Sequence, residues 1–590
     1  MAAKGFQEYY RPAEYKGFTS MKDVYVTGRD GTRLCIDIYI PNGDGPFPAL
    51  LSFGQHNKDL ADADYTAANP PQPAWSNFWF GVIEAGDTRF LTSRGYVHVI
   101  GQTRGAGKSD DGDPITAQWD AYDIIEWLAE QPWCDGNIGM VGLSNYGMNQ
   151  LVAAAANPPH LKAIFPFDPA FCMGFFRELH MGGVISTHFL HVGQNTVDHM
   201  MRGKPPKLEG EEEKIWAEAM KNPDFQMYKS IYNVLTQKGE NNPLQLFYQI
   251  LMNPYDEPDM YEKAMEKIRK IKIPVYTGSG QYAIDYEHWP AAQNWYENLQ
   301  GMPKKFLLTG PAAEERPYHY GLLHSEVLRW YDYWLKGIDT GIMDDPNVRY
   351  YVTGENKWRS GENWPLPETQ FTPFYLDSWE RLRTRPIEPD SWEGTTEPDA
   401  FVQSPPTLTN KISKLRYVSD PLSDDLLIAG PIGMHFWASI DSDDTNWIVT
   451  LKDLGPDDSN RTARKGERDI PDLPEKFLTR GFLKASLREL DEEHSTEWKP
   501  WQKLTKESQK PIVPGEIVKY DVEVMSVCHM FKAGHRICVE ISCMDMPDGP
   551  CAVCNVEYIP FHVCRNATVC HKIYRDGEHP SHILLPVIPT

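Results

Sequence analysis

In the run Gly142-Leu143-Ser144-Asn145-Tyr146-Gly147, residue types and spacing point to nucleophilic chemistry. It follows a short apolar stretch, Asn137 to Leu143, that reads as a buried strand, and precedes a helix-compatible stretch, Asn145 to Ala156. A serine on such a strand-to-helix turn is held above the sheet edge, and small flanking residues let the turn close. Backbone amides at the start of the following helix, that of Asn145 first, can stabilise a developing oxyanion. The usual pattern has glycine at the second position after the serine, where this chain has Tyr146. The competing reading makes Ser144 a helix N-cap.

The flanking elements imply how such a turn is held. From Asp23 to Pro41 apolar and polar residues alternate around Arg29-Asp30-Gly31, a hairpin signal. Almost wholly apolar runs follow at Phe47 to Phe53, Tyr96 to Gly101, Asn137 to Leu143 and Leu161 to Phe167, the pattern of strands covered on both faces. Trp119 to Trp133 carries apolar residues at helical spacing between the second and third of these runs. Strand and helix in alternation predict a parallel α/β sheet with right-handed crossovers. From about 170 to 270 that alternation gives way to Met, Phe, Tyr, His and charged residues at helical spacing, an inserted helical segment. The sheet resumes with Ile273 to Gly278 and Lys305 to Gly310, followed by an amphipathic stretch ending at Gly337. Beyond 343, proline-punctuated alternating segments predict an all-β sandwich or jelly roll of roughly 200–250 residues. Two charged stretches there, 457–472 and 491–509, read as solvated connections. The expected divisions are therefore 1–169 and 271–343 for the α/β part, 170–270 for the helical insertion and 344–590 for the β part.

A chain of 590 residues exceeds the ~250–300 residues at which single cores stop growing. Eighty-two acidic against 58 basic residues give a net charge of −24, which disfavours nucleic acid and anionic lipid surfaces as partners. Without an apolar N-terminal region or a run of 18 apolar residues, a cytoplasmic protein is expected. Seven of the ten cysteines fall between 528 and 570, including the C-x-x-C of Cys551 and Cys554, and read as reduced, structural thiols. His180, His188, His191 and His199 share the insertion, but His188 and His191 form only an i, i+3 pair with no acidic companion, so no metal site is expected.

The stretch Trp133 to Gly147 resembles the nucleophile segment of the CocE/NonD hydrolases, the group of cocaine esterase, X-Pro dipeptidyl-peptidases and α-amino acid ester hydrolases. Arg104-Gly105-Ala106-Gly107-Lys108-Ser109 resembles that family's R-G-x-G-x-S loop, and Leu328 to Asp339 its last catalytic-domain helix. Trp364-Pro365-Leu366-Pro367 and Phe531 to Ile537 resemble its C-terminal β domain. The resemblance implies an α/β-hydrolase fold with an inserted helical cap and a C-terminal all-β jelly-roll domain. It also implies acyl transfer to water through an acyl-enzyme, with no cofactor and no metal. The implied substrate is a small ester or amide, with an X-Pro dipeptidyl aminopeptidase or a non-catalytic ligand-binding homologue as alternatives and a homo-oligomer left open.

The family order Ser, Asp, His makes Ser144 the nucleophile. Relatives often read G-W-Y-D after the acid strand; this chain has Gly280-Gln281-Tyr282-Ala283-Ile284-Asp285, which favours Asp285 with Glu287 as its rival. The family histidine is missing from Gly310-Pro311-Ala312-Ala313-Glu314, which leaves His319, with His324 as its alternative. The family's oxyanion tyrosine is replaced by His56, which would act beside the amide of Asn145. A neutral imidazole can donate one N–H there, and an imidazole can equally serve as a base.

Overall fold

The computed structural model describes residues 9–56, 58, 84–169, 177, 180–186, 210–219, 221–222, 252, 254–281, 288–310, 321–388, 397–456, 474–545 and 562–589. The first hairpin joins Phe18–Thr27 (β1) to Arg33–Pro41 (β2). Its turn uses Gly31 at φ +86°, with Asp30 Oδ1 accepting the Thr32 N–H at 3.0 Å. The apolar runs become Phe47–Gly54 (β3), Val97–Gln102 (β4), Cys134–Leu143 (β5), Leu161–Pro169 (β6), Val275–Gly280 (β7) and Lys304–Thr309 (β8). They line up in the order β4-β3-β5-β6-β7-β8, every neighbouring pair parallel, with β2 antiparallel to β4 at one side.

Helices cover both faces of this sheet, which is why its strands read as continuous apolar runs. Thr88–Ser93 (α1), Asp120–Ala129 (α2) and Ser144–Ala156 (α3) alternate with the early strands. Of the inserted segment, the described residues include Glu211–Ala219 (α4) and Met260–Arg269 (α5). Met265 and Ile268 of α5 are buried in the same core as Ile138, Ile164 and Val275, so this helix packs on the sheet. His288–Asn298 (α6) and Gly321–Lys336 (α7) complete the layers. After α7 the chain adds Val348–Val352 (β9), parallel to β8, and Lys357–Gly361 (β10), antiparallel to β9. The sheet thus runs beyond residue 343, because α7 and β9 make one more strand-helix-strand crossover.

The remaining strands are Gln370–Asp377 (β11), Arg381–Arg383 (β12), Asp399–Gln403 (β13), Lys414–Ser419 (β14), Leu426–Ile440 (β15), Asn446–Leu454 (β16), Glu475–Lys484 (β17), Val518–Phe531 (β18), Arg536–Ser542 (β19), Val569–Tyr574 (β20) and His582–Ile588 (β21). Nine of them follow one hydrogen-bonded order, β15-β18-β17-β16-β19-β14-β12-β11-β21, in which β21 pairs back onto β15 and closes the circuit, while β20 also pairs with β15 and carries β13 outside it. The β region is therefore a closed sheet around Phe436, Trp447, Tyr520 and their neighbours, where alternation alone suggested two separate sheets.

The two sheets share a core: Trp289 and Phe306 pack with Trp364, Leu427, Phe482 and Met525. Residues 491–509, expected as a solvated connection, instead dock on the first sheet. Trp501 is buried in its core, Arg177 lies 4.0 Å from the Trp501 ring, and Lys499 pairs with Glu297 at 2.6 Å. One tryptophan buried against the sheet outweighs the polar composition of the loop. The second charged stretch, 457–472, lies outside the described residues, as do Cys172, Cys551 and Cys554. The other seven cysteines are buried, except the half-buried Cys570.

Candidate active site

Ser144 opens α3 directly after β5 with φ at +51°, a region that an L residue enters only under constraint. The constraint comes from both sides. Behind it, Gln150 is fully buried and holds the ends of two strands: its amide donates to Gly142 O at 3.1 Å and Phe165 O at 3.2 Å and accepts from Phe165 N–H at 2.9 Å. Below it, Tyr331 of α7 donates to Met140 O, and Trp330 donates to Ile164 O at 3.1 Å. Among the described residues no side chain caps α3, the position before Ser144 being Leu143, so the first amides of the helix face the turn without a capping acceptor. That excludes Ser144 as a conventional N-cap: it is the first helical residue.

The departure at Tyr146 has a steric explanation. Its ring is fully buried, and the room it needs is left by glycines elsewhere. A Cβ on Gly54 would stand 2.9 Å from two of its ring carbons, and one on Gly142, at φ +138°, would run into the Tyr146 Cβ and stand 2.9 Å from Glu84 O. Gly147 allows Phe167 O to approach, since its Cβ would lie 2.9 Å from that oxygen. The tight packing of an elbow is kept with its glycines redistributed.

The loop after β3 is tied to the same turn. Asn145 Oδ1 accepts the Gln55 N–H at 2.8 Å, and Asn149 donates to Asn145 O at 2.9 Å. His56 follows, 7% exposed, with its ring 5.6 Å from that of Tyr146. Its Nε2 lies 2.7 Å from Oε2 of Glu84, which is itself 4% exposed. Sequence reasoning found His56 and missed Glu84, which stands 28 residues away with no motif around it. The two groups are in close contact without the alignment of a hydrogen bond, and both ring nitrogens of His56 are buried.

Asp168, at the end of β6, was likewise unmarked in the sequence. It is fully buried at φ +42°, and its Oδ1 accepts the Gly280 N–H at 3.0 Å, while Ser144 bridges to Pro169 beside it. It thereby fixes the end of β7, from which the segment with Asp285 departs. Gln281 continues that anchoring, donating to Thr309 O at 3.2 Å and Tyr351 O at 2.8 Å. Asp285, Glu287 and His319 lie outside the described residues, as do His188, His191 and His199. His324 is described: it stacks on Phe90 of α1 at 4.0 Å and stands 3.5 Å from Asp87 Oδ2. Burial lowers its pKa from the ordinary value, against the opposing pull of Asp87. These contacts engage it on α1.

The R-G-x-G-x-S loop is a brace. Arg104 pairs with Asp120 and, at 2.9 Å, with Asp30, while Ser109 donates to Gln102 O at 2.7 Å and accepts the Cys35 N–H at 2.9 Å. A pocket of about 560 Å³ lies between inserted-segment residues such as Ile215 and Met252 and β-domain residues such as Leu487 and Val563; no elbow residue lines it. Among the described residues no group of three or more His, Cys, Asp or Glu is placed to hold a metal, and no helix is long and apolar enough to cross a membrane.

Comparison with known proteins agrees with this architecture. Residues 30–313 match the X-Pro dipeptidyl-peptidase S15 family, and residues 340–584 match the X-Pro dipeptidyl-peptidase C-terminal non-catalytic domain. Cocaine esterase of Rhodococcus sp. (strain MB1 Bresler) is 25% identical, with 97% of this chain and 99% of that protein covered. A CocE/NonD family hydrolase from Staphylococcus aureus superposes with a TM-score of 0.72 at 22% identity, covering 100% of this chain and 99% of the other. An aminopeptidase from a marine sediment Thaumarchaeota archaeon also gives 0.72, at 16% identity, covering 99% and 98%. Through two successive family models and a relative alike along its whole length, the chain is similar throughout to serine hydrolases of ester and amide bonds, and its fold is that of a CocE/NonD hydrolase.

Proposed function

We propose that this protein hydrolyses an ester of a small, moderately hydrophobic acyl compound through an acyl-enzyme on Ser144. The observation that carries the reading is the positive φ of Ser144 at the uncapped start of α3. Energy stored in a disfavoured backbone conformation is retained where function requires the side chain to point outward. The Asn145 amide at the same turn is suited to meet the carbonyl oxygen as it gains charge. A histidine takes the serine proton. Chain order favours His319, oriented by Asp285, while His56 is the imidazole that the packing brings to the elbow. The closed C-terminal sheet is read as a jelly-roll barrel, and the mostly buried thiols suit a reducing cytoplasm.

The resemblance to an aminopeptidase favours a second reading, an X-Pro dipeptidyl aminopeptidase. Fluorophosphonate labelling of the purified protein, followed by release of acid from aryl esters and of dipeptide from an X-Pro anilide, separates the readings. Rapid labelling at Ser144 with faster turnover of aryl esters is expected. Labelling with turnover of the anilide alone moves the assignment to the peptidase, and an unlabelled Ser144 removes both.

A further inference from the structure

Three facts meet at the elbow. Glu84 and His56 are in contact at 2.7 Å, and both are shielded from water. The chain carrying Glu84 passes over the end of β5, since a Cβ at Gly142 would stand 2.9 Å from Glu84 O. The loop carrying His56 is pinned to the residue after Ser144 through Asn145 Oδ1. Two separate segments thus deliver a carboxylate-bound imidazole to the serine turn. Both ring nitrogens are buried and neither makes an aligned hydrogen bond among the described residues; Nε2 meets Glu84 as a close contact, which leaves Nδ1 on the other side of the ring. Among the described residues few other groups face the ring. Tyr146 faces it from α3, and Lys58, on the same loop, is directed to Asp23 at 2.6 Å and Asp37 at 2.8 Å.

We infer that His56 is the general base for Ser144 and that Glu84 is the residue positioning it. The inference rests on Ser144 being the nucleophile and replaces only the expected source of the base. With Nε2 against Glu84, Nδ1 is the ring nitrogen left to take the serine proton. As Ser144 Oγ bonds to the substrate carbonyl carbon, its proton passes to Nδ1 and the carbonyl π pair moves onto oxygen. On collapse, the bond from carbon to the leaving oxygen or nitrogen breaks, and the Nδ1 proton goes to that leaving group. Water then repeats both steps on the acyl-serine, which restores Ser144 and releases the acid. Glu84 holds the ring and stabilises the imidazolium.

The test uses an aryl acetate and variants of the full chain, with circular dichroism to score folding. His56→Gly is expected to lose ~10²–10⁴-fold in kcat, the span of general base catalysis, and to regain part of it with free imidazole. Glu84→Gln is expected to lower kcat about tenfold with KM within twofold, and Glu84→Asp to recover most of that loss. Should His56→Gly fail to fold, His56→Gln replaces it with the same expected loss. A His56 variant that folds and keeps wild-type turnover, with the loss appearing instead in His319→Ala, overturns the inference. A Glu84→Gln loss seen in KM alone, or one that Glu84→Asp does not reverse, overturns the positioning role. Ser144→Ala with full esterase activity would defeat the nucleophile assignment itself, an outcome distinct from either.

Discussion

At the seam between the two sheets, Thr353 Oγ1 lies 2.7 Å from His529 Nδ1, and His529 Nε2 lies 3.0 Å from Asp453 Oδ2. In the inference drawn above, the elbow sets the same three kinds of group to work in Ser144, His56 and Glu84. At the seam, His529 is fully buried, and burial lowers its pKa from the ordinary value although Asp453 pulls the other way. The Thr353 hydroxyl is enclosed and also within 3.2 Å of Cys528 O, while its backbone pairs with Cys528 and Met530 at 3.1 and 2.8 Å. Nothing can reach that oxygen. Ser144, by contrast, is half-buried, held at positive φ and followed by uncapped amides. Hydroxyl, imidazole and carboxylate therefore make a lock where packing closes over them and a candidate reaction centre where a strained turn presents the hydroxyl. The distinction lies in backbone and access, since the functional groups are shared.

The comparison breaks first at Ser144. Ser144→Ala should cost about 10⁴-fold or more in kcat/KM toward an aryl ester with folding intact, whereas a loss under tenfold would erase the difference between elbow and seam. Next, Gly142→Ala should destabilise by roughly 3 kcal/mol or more, because φ +138° and the nearby Glu84 O leave no room for a methyl group; urea unfolding measures it.

Acid provides a third probe. Burial lowers His98, beside Ser52 and Thr88, to a pKa of about 4, and does the same to His571 in the closed sheet. With unfolded values near 6.5, the unfolded chain binds these protons more tightly, so stability is complete above pH 6.5 and is lost as pH falls toward 4. The loss is on the order of 3 kcal/mol for each ring, read as a falling melting midpoint across that interval. The smallest expected effect is at the seam: Thr353→Val should lower stability by ~1–3 kcal/mol and leave turnover within about twofold. A loss of turnover comparable to that of Ser144→Ala would mean that the seam takes part in the chemistry.

Much of the first sheet was legible because its strands are covered on both faces and flanked by turn residues, and β3 through β8 fall where the apolar runs stood. The closure of the second sheet was not, since alternation reports one covered face per strand and is silent on which edges meet. The docking of 491–509 escaped for a related reason: a charged loop with one buried tryptophan reads as solvated until its partner surface is known. At the site, Ser144 announced itself through a local motif. Glu84 and Asp168 carry no local pattern, and their positions near the elbow are set by long-range packing. The glycine displaced by Tyr146 has its explanation at Gly54, 92 residues earlier, again a matter of tertiary contact.

The pairing of β21 with both β11 and β15 carries a consequence for biosynthesis. Until His582–Ile588 has left the ribosome, the perimeter of the C-terminal sheet stays open, and β11 and β15 each present an unpaired row of amides and carbonyls to any neighbouring nascent chain. The parallel sheet can assemble as it emerges, but its partner must wait for that final segment, so truncation or delayed release there should surface as insolubility long before any change in chemistry.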